Sequence, residues 1–74
     1  MSKTIYSKDH RYLVERLKKA RIEANLGQIE VAKILRKSQS YVSKIESGQR
    51  RVDVIQLNEF AKLYKKSLVY FLRG

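Results

Sequence analysis

Gln39, Ser40, Ser43 and Lys44 lie within a ten-residue segment, Ser38 to Ser47, whose apolar spacing predicts a short helix. At roughly 100° per residue, Val42 and Ile45 fall together on one side of that helix. Ser40, Ser43 and Ser47 cluster on the opposite side, with Lys44 beside them and Gln39 near the N-terminal end. These side chains suit hydrogen bonding to base edges. A Gln amide pairs bidentately with adenine, Lys donates to guanine O6 and N7, and small hydroxyls let a helix backbone come close in a major groove. A solvated helix face carries the same residue types, so this face alone leaves both readings open.

Other chemistries find little support. The chain has one histidine and no cysteine, and its carboxylates are scattered singly. His10 has no neighbour at metal-ligand spacing, so neither a nucleophile–base pair nor a metal site is expected. An enzyme is therefore not expected, nor a cofactor, a metal or a small-molecule ligand. Seventeen Lys and Arg against seven Asp and Glu give a net charge of +10, which implies a polyanionic partner. Nucleic acid, an anionic membrane surface and an acidic protein all qualify. A membrane-surface helix would gather its basic residues opposite one broad apolar face; here they run from Lys3 to Arg73 through every segment, which favours nucleic acid. There is no apolar run of about 18 residues to cross a membrane and no apolar signal-peptide core at the N-terminus. The absence of cysteine fits a reducing compartment. These features predict a cytoplasmic chain of one domain, with no separate sensor.

The elements that must position the candidate face are helices throughout, since the chain has no proline and only three glycines. Residues 1–6 have neither cap nor period and are expected to form a flexible basic arm; residues 7–74 are expected to form the domain. Ser7 is placed to cap a first helix that carries Asp9 in its first turn and Leu13, Leu17, Ala20 and Ala24 on one stripe. Asn25 suits a left-handed stop. Gly27, with Glu30 reaching back, opens a second helix from Gln28 to Leu35 that turns Val31, Ala32 and Leu35 inward. Arg36 and Lys37 make a turn, Ser38 caps the third helix, and Gly48 stops it. Asp53 and Gln56 have capping-box spacing before a fourth helix with Val54, Leu57, Phe60, Ala61 and Tyr64 on one stripe. Ser67 is placed to cap a fifth, short helix through the apolar run Leu68 to Leu72. The fold class expected is all-α, with five compact helices.

From Arg21 to about Leu72, roughly 70% of the chain, the sequence resembles the lambda-repressor-like (Cro/phage-repressor, XRE-type) helix-turn-helix family. The residues that carry the resemblance are Arg21, Leu26-Gly27-Gln28, Val31-Ala32, Leu35, the block Ser38 to Gly48 and Phe60-Ala61. The resemblance implies a bacterial or phage-type DNA-binding regulator with helices two and three as the motif. At the matching positions it implies base contacts from Gln39, Ser40 and Lys44, with Ser43 on the same face for base or phosphate. Gln28 would anchor a phosphate at the start of helix two, and Arg21 and Glu46 would form a partly buried ion pair joining helices one and three. Arg50 and Arg51 are expected to meet the DNA backbone, and Tyr41 to point sideways toward a neighbouring helix or DNA. Two positions depart from the family pattern. Arg36-Lys37 stands where Gly and an apolar residue are usual, so Arg36 would carry a positive φ at a cost of about 1 kcal/mol. Both residues add charge near the phosphate path. Gly27 replaces the usual Ser or Thr.

Apolar residues without a core place remain: Ile55 and Leu63 fall off the fourth stripe, and Val69 and Tyr70 cannot both face inward. Leu63, Val69 and Tyr70 suggest a homodimer through the C-terminal helices. Such a dimer would set two reading helices about 34 Å apart on a pseudopalindromic double-stranded operator. The expected function is a sequence-specific transcriptional regulator, a repressor or autoregulator. The alternative is an interaction module, an antitoxin or a factor bridging to the transcription machinery.

Overall fold

The computed structural model describes residues 7–72, and the N-terminal arm expected at residues 1–6 lies outside them. Along the described chain run α1 (Lys8–Glu23), α2 (Gln28–Leu35), α3 (Gln39–Glu46), α4 (Val54–Tyr64) and a 3-10 helix (Leu68–Phe71). The fifth element is thus a single 3-10 turn, not the α-helix expected. Five apolar residues in succession carry no 3.6-residue period, and the run is too short to sustain an α-helix. Ser67 takes the N-cap position, but its side chain makes no capping hydrogen bond.

Local chemistry starts and stops each α-helix. Ser7 Oγ accepts from His10 N–H and Ser38 Oγ from Tyr41 N–H, each at 3.1 Å. Asp53 and Gln56 close a reciprocal capping box at 2.7 and 3.0 Å. Gly27 offers no side chain, yet Glu30 Oε1 accepts its N–H at 2.7 Å, so half of a box survives. At the C-termini one device recurs: a residue with positive φ turns the chain, and the next N–H bonds back to a carbonyl of the last turn. Asn25, Arg36, Gly48 and Lys65 are the four turning residues, with φ of 60°, 59°, 85° and 59°. The returning bonds run from Leu26, Lys37, Gln49 and Lys66 N–H to the carbonyls of Arg21, Ala32, Lys44 and Ala61.

These short helices hold together by burying one face each. Leu17 and Ala20 of α1, Val31 and Ala32 of α2, and Tyr41, Val42 and Ile45 of α3 meet Leu57, Phe60, Ala61 and Tyr64 of α4. Phe71 of the 3-10 helix is fully enclosed and closes the core. Val54 is an exception to the expected α4 stripe. It is 68% exposed in the first turn of α4, beside Ile55 at 71%, and the buried stripe begins at Leu57.

At the C-terminal end the expected apolar surplus is divided. Val69 is 76% exposed, whereas Leu63 and Tyr70 pack partly against the core. Tyr70 is held inside the domain: Arg16 Cζ lies 4.0 Å from its ring centroid, and Arg16 Nε donates to its carbonyl at 3.0 Å. Lys66 Nζ covers the same ring at 4.6 Å.

Candidate nucleic-acid interface

α3 is seated by its inner side chains and offers its outer ones. Val42 and Ile45 are almost wholly buried, and Tyr41 nearly so, while Gln39, Ser40 and Lys44 are exposed. Ser43 is half-buried, at the margin between the outer face and the core. Ser47 Oγ donates to the Lys44 carbonyl at 3.1 Å and tidies the last turn.

Behind this face runs a hydrogen-bonded chain of four side chains. Arg21 of α1 meets Glu46 of α3 with two parallel bonds, Nε to Oε2 at 2.8 Å and Nη2 to Oε1 at 3.1 Å. The two side chains are only 12% and 5% exposed, so this is the partly buried pair expected between the helices. Its fork geometry is the strong form of the contact. Arg21 Nη1 also donates to the Leu26 carbonyl at 2.8 Å, which ties the turn before α2 to the same guanidinium. The bond to Glu46 outweighs burial and holds the Arg21 guanidinium above even its ordinary high pKa. Arg21 in this way compensates the negative charge of Glu46 at the C-terminus of α3, where the dipole disfavours it.

The chain continues outward. Gln28 Nε2 donates to Glu46 Oε1 at 3.1 Å, and Gln39 Nε2 donates to Gln28 Oε1 at 2.8 Å. A carboxylate only accepts, so Glu46 dictates which end of the Gln28 amide faces it. Gln28 then presents its oxygen to Gln39, and Gln39 must turn its NH2 group inward. Its carbonyl oxygen and one remaining N–H are left for a partner outside. The Gln28 side chain, expected to anchor a phosphate together with the backbone N–H, is hydrogen-bonded at both ends within the domain. Its backbone N–H, at the first position of α2, is among those without an intrahelical acceptor.

Basic side chains flank α3 at both ends. Arg36 and Lys37 in the turn before it, and Arg50 and Arg51 in the loop after it, are all exposed. Lys37 and Arg50 share one ring: Lys37 Nζ lies 5.2 Å and Arg50 Cζ 5.0 Å from the centroid of Tyr41. Tyr41 itself stacks with Phe60 of α4, with centroids 6.4 Å apart. Its hydroxyl is buried with no hydrogen-bond partner, and burial pushes its pKa above the usual tyrosine range.

The structure places Gln39, Ser40 and Lys44 on the exposed side of α3 and pairs Arg21 with Glu46. The Gln28–Gln39 link and the gathering of Lys37 and Arg50 on Tyr41 were not legible in the sequence. The first depends on two glutamines eleven positions apart meeting across a turn. The second had a weak signal, an aromatic inside a helix with basic residues at both ends. Among the described residues no group of His, Asp or Glu is arranged to hold a metal ion, and no helix is long and apolar enough to cross a membrane.

Comparison with known families bears directly on this geometry. A helix-turn-helix family model matches residues 17–71, which spans α1 from Leu17 through the 3-10 helix. No curated protein matches the chain significantly.

Proposed function

The chain belongs to the helix-turn-helix family of the Cro and phage-repressor type, a family of DNA-binding transcription regulators, and from that membership we propose a sequence-specific regulator that reads the major groove with α3. Residues 7–74 act as the DNA-binding domain, with 1–6 as a basic arm. Gln39, Ser40 and Lys44 contact base edges, and Ser43 meets base or phosphate from the margin of the face. Gln28 meets a phosphate through its backbone N–H, where a helix N-terminus favours an anion. Arg36, Lys37, Arg50 and Arg51 neutralise phosphates on either side of the groove.

The observation that carries this reading is the orientation of Gln39. Its amide is fixed by an internal chain that ends on a partly buried ion pair, and both an acceptor and a donor remain on its outer side. That is the pair of groups adenine N6 and N7 require. A face kept merely for solubility has no use for a locked amide.

A short reading helix covers only a few base pairs, and a homodimer doubles the site. Val69, with Leu63 and the edge of Tyr70, supplies the apolar surface for such a dimer, and repression or autoregulation follows from occupancy of a pseudopalindromic operator. Selection of bound fragments from random duplex DNA tests the reading. It should recover two related half-sites about one helical turn apart. Recovery of no preferred sequence contradicts the proposal.

A further inference from the structure

Tyr41 lies at the junction of features that the DNA-reading face does not use. Its ring is buried, it stacks on Phe60, and its hydroxyl makes no hydrogen bond. A buried tyrosine usually finds a partner for that oxygen. The ring has partners of another kind. Lys37 arrives from the turn before α3 and Arg50 from the loop after it, and both place their cationic groups within range of the ring's negative face.

We infer that Tyr41 is a positioning residue for DNA binding: its ring gathers Lys37 and Arg50 from opposite ends of α3 and presents them as a pair to one stretch of phosphate backbone. The inference rests on the reading of α3 as the DNA-facing helix. The geometry limits the two cationic groups to a separation of at most about 10 Å, which spans no more than roughly three phosphate steps of one strand. Two like charges so close repel each other, and exposed Lys and Arg side chains lose rotamer freedom when held. The ring offsets part of both costs before DNA arrives. Phosphates then complete the neutralisation, so both cations bind without a further ordering cost. Phe at position 41 keeps the ring and discards only an oxygen that has no partner. An aliphatic residue keeps an apolar side chain there, of smaller volume, and loses the cation site.

The salt dependence of binding to a random-sequence duplex of about 20 base pairs tests this, because each neutralised phosphate contributes a slope near −0.9 in log affinity against log salt. Tyr41→Phe should keep the wild-type slope. Tyr41→Leu should make it shallower by about one to two, with the ratio of selected-site to random affinity unchanged. Lys37→Ala and Arg50→Ala should each remove about 0.9. A Tyr41→Leu protein that melts cooperatively and keeps the full slope, while Lys37→Ala and Arg50→Ala lose theirs, overturns the role of the ring and leaves the DNA-reading proposal standing. A loss of slope in Tyr41→Phe also overturns it, since the hydroxyl would then be the contact. A wild type with no salt-dependent DNA binding overturns both.

Should Tyr41→Leu fail to fold, proton chemical shifts of the wild-type protein decide. The Lys37 ε-methylene and Arg50 δ-methylene protons should be displaced upfield by the ring, and random-coil values for both contradict the inference.

Discussion

Gln39 Nε2 donates to Gln28 Oε1 at 2.8 Å across the turn between α2 and α3, and this bond sets which atoms of Gln39 face outward. The orientation originates at Glu46, which can only accept, and passes through the Gln28 amide. Removing the intermediary should therefore weaken sequence reading without removing the reader. Gln28→Ala is expected to cut the affinity ratio between the selected site and random DNA, by less than the ~1–3 kcal/mol of a whole base contact. Competition binding at fixed salt measures it. An unaltered ratio would show that Gln39 orients itself.

The Arg21–Glu46 pair is the anchor of that chain and also joins α1 to α3. With Glu46 only 5% exposed, Glu46→Ala leaves a partly buried guanidinium without its carboxylate and should destabilise the domain by up to roughly 3–5 kcal/mol. Arg21→Ala should cost a comparable amount, and the double substitution less than the two together. Thermal melts of the three variants test the coupling. Strict additivity would mean that the two charges act independently.

Arg36 separates stability from binding. Its φ of 59° strains a side-chain-bearing residue and suits glycine. Arg36→Gly should raise stability by about 0.5–1 kcal/mol, with the unfolded chain's extra freedom taking back part of the relief. The same change should make the salt slope shallower by about 0.9 if Arg36 meets a phosphate. A melt and a salt titration on one variant give both answers.

Tyr64 gives a pH dependence with a definite sign. It is 4% exposed, its hydroxyl has no hydrogen-bond partner, and burial, with Glu46 adding to it, holds its pKa far above the ordinary value. Above about pH 10 the unfolded chain releases this proton and the folded one keeps it, so stability is full below pH 10 and falls as pH rises beyond it. Tyr64→Phe should be neutral or slightly stabilising near pH 7, since the lost oxygen had no partner, and should flatten the alkaline decline. Denaturant midpoints between pH 8 and 11 report both effects. A clear loss at pH 7 would point to a hydroxyl that is bonded after all.

How far the sequence disclosed this molecule depends on how local each determinant is. Ser7, Ser38, Asp53 with Gln56, Asn25 and Gly48 act within four residues of themselves, and their caps and stops stand where their types predict. The stripes of α1 and α2 were legible for the same reason. Val54 was misread because a stripe describes a helix and not how far its neighbours extend. Leu68 to Leu72 were misread because a continuous apolar run has no period to distinguish α from 3-10 geometry. At the candidate site residue types showed the face, and the family resemblance supplied the ion pair. The Gln28–Gln39 bond and the Tyr41 ring site arise only when separate segments meet, and no spacing rule encodes that.

The proposed function rests on the outer face of α3 reading sequence through Gln39. The most direct measurement is the ratio of affinities for a selected operator and a random duplex, in the wild type and in Gln39→Ala, at one salt concentration. The ratio should fall by a factor corresponding to ~1–3 kcal/mol, with random-DNA affinity and melting temperature nearly unchanged. An equal ratio in the two proteins would contradict the account, since α3 would then hold DNA without reading it.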